Sequence, residues 1–201
     1  MKRILGTLFC TLLFSGLSFA QSTDIAVLAG GIFTSDKNPA AGIGSCPTNN
    51  PSCGATIHTP ARISYEGVLA HRLANLHMAS LHLELPVVGT PTQTLEQGGL
   101  RQDFSTVYFT PGLKLKFSLP FFSPFVSAGG GLAHYSSSNS GTLASGSSTV
   151  AAFQVGGGFD ISTWIPFVGL RAEVRDFHTG TPNFNVGQNN IFAGAGIVLK
   201  F

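Results

Sequence analysis

Charge is scarce in this sequence: 11 Lys and Arg and 9 Asp and Glu among 201 residues amount to 10%, where soluble domains carry about 25%. A surface so poor in charge suits lipid better than water. The bases leave a net charge of only +2 and gather into no stripe, which excludes the electrostatic footprint of a nucleic-acid partner. Long apolar runs are missing as well. Beyond the N-terminal segment no stretch reaches the ~18 residues of a membrane-crossing helix, so a helical membrane protein is excluded. Metal-ligand spacing is also lacking: the six His, at positions 58, 71, 77, 82, 134 and 178, are scattered with no third ligand beside any pair. Neither a metal nor any other cofactor is expected. The glycine runs 129–131 and 156–158 and the pair Gly194 and Gly196 open no helix after a strand, as a nucleotide-binding loop must. In strands, such glycines instead leave room for bulky neighbours.

What is present begins with Lys2 and Arg3, an apolar run from Ile4 to Leu17, and Ser18-Phe19-Ala20. A positive start, a short apolar centre and small residues at the cleavage position define a secretory signal peptide over residues 1–20. The expected mature domain is 21–201. Of the three Cys, only Cys46 and Cys53 lie in that domain, within a Pro- and Asn-rich segment. Export places the pair in an oxidising compartment, where one disulfide is the simplest outcome. Its short loop should stabilise locally by about 2–3 kcal/mol. Thiol titration of folded protein taken from cells is expected to find no free thiol; two per chain would contradict the pairing.

Apolar and polar residues alternate in blocks of about ten, the length of a tilted strand crossing a bilayer. Eight such blocks fall at 24–33, 62–73, 76–86, 104–117, 122–135, 149–161, 167–178 and 190–201. In the seventh, Val168, Leu170, Ala172 and Val174 oppose Gly169, Arg171, Glu173 and Arg175. A helix would scatter those charges around its circumference; a strand collects them on one side. The fourth sets Val107, Phe109, Leu113, Leu115 and Phe117 against Tyr108, Thr110, Lys114 and Lys116, and the third sets Leu81, Leu83 and Leu85 against His82 and Glu84.

Alternation alone fits a soluble sandwich or a membrane barrel. The connections favour the barrel, because long segments (34–61, 87–103, 136–148, 179–189) alternate with short ones (74–75, 118–121, 162–166). Outer-membrane barrels have long external loops and tight periplasmic turns, and an even strand count leaves both termini in the periplasm. Phe117, Phe121, Phe122, Phe159, Trp164, Phe167 and Phe201 gather towards the short turns, as a girdle at headgroup level would. The fold expected is therefore all-β: an eight-stranded antiparallel transmembrane barrel in the bacterial outer membrane.

Every second residue back from the end, Phe201, Leu199, Ile197, Ala195, Ala193 and Ile191, is apolar. That stripe resembles the C-terminal signal read by the barrel assembly machinery, with Ile197, Leu199 and Phe201 at its end. Together with Phe109-Thr110-Pro111-Gly112-Leu113 through Lys116-Phe117, and Ser123-Pro124-Phe125 through Leu132, it makes residues 21–201 similar to the OmpA/OmpX-like family of small outer-membrane barrels. The resemblance implies a fold and a location more than an activity.

With apolar faces towards lipid, the opposite faces project Arg62, Arg72 and Lys200 inward, with a charge network of Glu66, Glu84, Lys114, Lys116, Asp160, Arg171, Glu173 and Arg175. An eight-strand interior is just wide enough for side chains to fill, so the charges should pair into a plug. The expected role is structural and surface-interacting, without catalysis: a monomer in contact with outer-membrane lipid, whose loops meet an external ligand the sequence does not name. No further domain is expected after the barrel. Two alternatives stay open. One is a narrow porin-like channel through imperfectly packed charges. The other is a lipid A-modifying hydrolase, since His134-Tyr135-Ser136 resembles the His-x-Ser element of PagL, although residues 137–148 hold no acid to orient the His.

Overall fold

The computed structural model describes residues 23–34, 61–97, 100–139, 146–180 and 188–201. Cys46, Cys53 and the segment 1–20 lie outside them. The strands are β1 (Thr23–Thr34), β2 (Arg62–Leu76), β3 (Ala79–Gln97), β4 (Leu100–Phe109), β5 (Gly112–Phe117), β6 (Phe122–Asn139), β7 (Gly146–Ser162), β8 (Val168–Thr179) and β9 (Gln188–Lys200). All neighbours are antiparallel. β4 and β5 both pair with β3 on one side and β6 on the other, so these nine strands form eight staves. β1 pairs with both β2 and β9, and β2 with β3, which closes the sheet on itself. Closure leaves no edge strand among the described residues, the condition for backbone that crosses lipid.

The fourth stave is broken where Pro111 has no N–H to give the ladder. Its carbonyl still accepts a bond from the Gly130 amide at 3.0 Å, and a Cβ on Gly129 or Gly131 would collide with the backbone of 109–112. The glycine run thus lets β6 lie close against the break. Side chains on Gly156 and Gly158 would meet the Val174 and Ala172 carbonyls of β8 as well as Arg175, Glu173 and Phe125, so these glycines bring two staves close and also make room for lumen residues.

Three expectations need correction. The first short connection lies at His77–Met78 instead of 74–75, because a bulge between Arg72 and Ala74 shifts the register and His77 supplies the left-handed φ of 67°. Residues 87–103 are mostly strand: β3 and β4 stay paired out to Gln97 and Leu100, with a bulge between Thr90 and Gln93 that contains Pro91. Thr-rich polar sequence pairs well once neither face needs a core, and a bulge tolerates proline. Similarly, the 136–148 connection is shortened from both ends, since β6 reaches Asn139 and β7 starts at Gly146.

Burial is inverted relative to a soluble domain. Val27, Leu170, Val174, Val155, Phe153, Val126 and Ile197 are exposed, while Glu66, Glu84, Lys114, Asp160, Arg171 and Arg175 are buried. The apolar exterior is the surface a lipid bilayer solvates. All seven aromatics named for the girdle are exposed, Trp164 at 92%, at or near the short-turn rim. Ile197, Leu199 and Phe201 are likewise on the outer face. Phe201 completes the seam through paired backbone bonds with Thr23, 3.0 and 2.8 Å.

Candidate functional site: the barrel interior

The strand period of two sends alternate residues inward, and on β8 this places Arg171, Glu173, Arg175, Phe177 and Thr179 in the interior. Distance from the short turns then sets their level. Three layers result.

Arg175, the eighth residue of β8, centres the middle layer. Its Nε lies 2.8 Å from Glu66 Oε1 of β2, and its Nη1 lies 2.7 Å from Glu84 Oε1 of β3. Glu173 also pairs with its Nε, and Nη1 donates to Gln154 Oε1 at 2.8 Å. Lys114 Nζ reaches the other oxygen of Glu84 at 3.2 Å. Two bases thus face three carboxylates, all out of reach of water.

Arg171 centres the layer nearer the short turns. It holds Asp160 with two bonds, Nε to Oδ1 at 2.7 Å and Nη2 to Oδ2 at 3.1 Å, the planar fork that suits a carboxylate. Lys116 Nζ donates to Asp160 Oδ2 at 2.6 Å and to Asp24 Oδ2 at 3.3 Å. Phe125 joins the two layers, its ring 5.3 Å from Lys114 Nζ and 5.0 Å from Arg171 Cζ, within cation–π range.

Towards the long connections the interior holds an aromatic and aliphatic cluster beside buried Ser64, Thr90 and Asn190. Tyr108 stacks on Phe177 at 4.6 Å and meets Tyr135 edge-on at 6.3 Å. Tyr135 donates to Thr179 Oγ1 at 3.2 Å. Leu28, Ile32, Val88 and Phe192 are buried in the same cluster.

The structure therefore brings Arg171, Lys116 and Asp160 into one group, and Arg175, Glu66, Glu84, Glu173 and Lys114 into another. Arg62, Arg72 and Lys200 are half-buried and join neither. Sequence reasoning missed Asp24. Its strand carries Ala26 and Leu28 inward and Ile25 and Val27 outward, so no alternation marks its face. Of the aromatic layer, alternation sets Tyr108 on the polar face, while inward Phe177 and Phe192 were missed, because an inward Phe leaves no contrast with the lipid-facing side.

His134 faces outward, and its Nδ1 lies 2.8 Å from Thr149 Oγ1. A hydroxyl occupies the position where a hydrolase would place its orienting acid. Among the described residues no group of His, Cys, Asp and Glu could hold a metal.

No family model matches the sequence, nor does any curated protein. Solved structures do resemble the fold. Neisserial surface protein A (NspA) superposes with a TM-score of 0.57 at 14% identity, over 89% of this chain and 97% of that one. Ail, the attachment invasion locus protein of Yersinia pestis, in complex with the heparin analogue sucrose octasulfate, gives 0.51 at 13% identity, over 89% and 99%. At such identities the likeness shows the fold alone, that of a small outer-membrane barrel, and does not single out the OmpA/OmpX-like group.

Proposed function

We propose that this chain is a non-catalytic outer-membrane surface protein whose barrel is a sealed anchor. The observation that carries this reading is the filled cross-section. Arg171, Arg175, Lys114, Glu66 and Glu84 are each at most 1% exposed, so a water-sized sphere finds no place beside them. An interior packed to that degree leaves ions no continuous path.

On this reading residues 1–20 are removed on export, and the barrel assembly machinery engages the terminal stripe Ile197, Leu199 and Phe201. The short turns and both termini face the periplasm. On the same reading the long connections meet an external ligand, and a disulfide between Cys46 and Cys53 belongs to the proposal. The protein should fractionate with the outer membrane, begin near Gln21 and change gel mobility on boiling. Recovery from the soluble periplasm would contradict the reading.

A narrow channel is the second reading, favoured by a polar cavity at the short-turn mouth. Planar-bilayer recordings separate the two. The wild-type barrel is expected to give no steady conductance, and stable ion-selective steps would replace the anchor by the channel.

A further inference from the structure

The mouth cavity has a volume of about 370 Å³, far more than the ~10–15 Å³ one water needs. Its lining includes Arg72, Lys116 and Lys200, and among the described residues Asp24 is its one carboxylate. Asp24 lies opposite Lys200 in the β1–β9 register, yet its carboxylate turns to Lys116 at 3.3 Å and Arg171 at 4.0 Å. Asp160 is likewise taken by Arg171 and Lys116. Among the described residues, neither Arg72 nor Lys200 has a carboxylate within 4.0 Å. Arg72 is the last inward residue before the β2 bulge, a device that re-aims side chains.

Counted by layer, the mouth holds Arg72, Lys116, Arg171 and Lys200 against Asp24 and Asp160. The middle layer holds Lys114 and Arg175 against Glu66, Glu84 and Glu173. The excess of bases over carboxylates draws an anion to the mouth. We propose that the short-turn mouth binds a phosphate group, with Arg72 and Lys200 as its cationic donors. The hydroxyls of Ser118, Ser123 and Ser162 also line the cavity and supply further donors, which a tetrahedral oxyanion with several acceptor oxygens can use together. Ile165 and Phe167 line the same cavity and are exposed at the rim, so the phosphate can come from a phospholipid headgroup or from solution.

The test uses the whole chain refolded into maltoside micelles, which contain no phosphate. At constant ionic strength, inorganic phosphate is expected to raise the heat-modification temperature saturably, and chloride is not. Arg72→Gln combined with Lys200→Gln should abolish that response. In chloride the double variant should be at least as heat-stable as wild type, because like charges have been removed. If it does not refold, Lys200→Gln alone should weaken phosphate about tenfold or more, the effect of losing one charge-assisted hydrogen bond. Doping the micelles with phosphatidic acid distinguishes the sources: loss of the phosphate response identifies the headgroup, and its persistence identifies free phosphate. Equal responses to chloride and phosphate, or a full phosphate response in the variants, would overturn the site.

Discussion

Arg175→Met is expected to destabilise the barrel by about 3–5 kcal/mol, the cost of removing one partner from a buried ion pair, and to lower its heat-modification temperature accordingly. Arg175 is the common partner of Glu66, Glu84 and Glu173. Without it, among the described residues Lys114 on Glu84 is the remaining base in ion-pair contact with that group of carboxylates. Met fills much of the space but donates nothing, so the buried carboxylates left without a base must take up protons or open the barrel to water. Glu173→Ala is a useful contrast. It removes one carboxylate of three and leaves Arg175 held by Glu66 and Glu84, so its effect should be clearly smaller. Gel mobility of unboiled samples over a temperature series checks the pair. Equal losses in the two variants would mean that Arg175 does not organise the interior.

The same residues show what sequence can and cannot carry. β8 was legible because its two faces differ in kind: Leu170 and Val174 are exposed on the outer face while Arg171, Glu173 and Arg175 are buried in the interior. Where the interior itself is apolar, as at Leu28, Phe177 and Phe192, the two faces look alike and the inward side cannot be named from alternation. Partner choice was hidden for another reason. Asp24 and Lys116 lie on different staves, 92 positions apart, and their meeting depends on the stagger of the closed sheet, which no local pattern encodes. Turn positions failed where a bulge moved the register by a residue. Such a bulge leaves no composition signal beyond an unremarkable Arg72-Leu73-Ala74.

Gly196→Val is expected to block closure of the barrel. A Cβ at Gly196 would land on the Val27 carbonyl oxygen and Leu28 Cα of β1, and one at Gly30 would land on Ala193 and Gly194 of β9. Both collisions cross the β1–β9 seam, the pairing that joins the first stave to the last. Glycine serves there because two backbones approach more closely than any side chain allows. Overpacking a side chain among flexible neighbours costs about 1–3 kcal/mol; here the obstacle is backbone, which can yield only by parting the strands. Gly67→Val supplies the control. Gly67 lies on the outer face of β2 with nothing within 4 Å of its would-be Cβ, so the added side chain meets only lipid. After refolding under identical conditions, the Gly67 variant should recover the compact unboiled form in wild-type yield and the Gly196 variant should recover little of it. Matching yields would show that the seam has slack, and that closure is fixed elsewhere in the sheet.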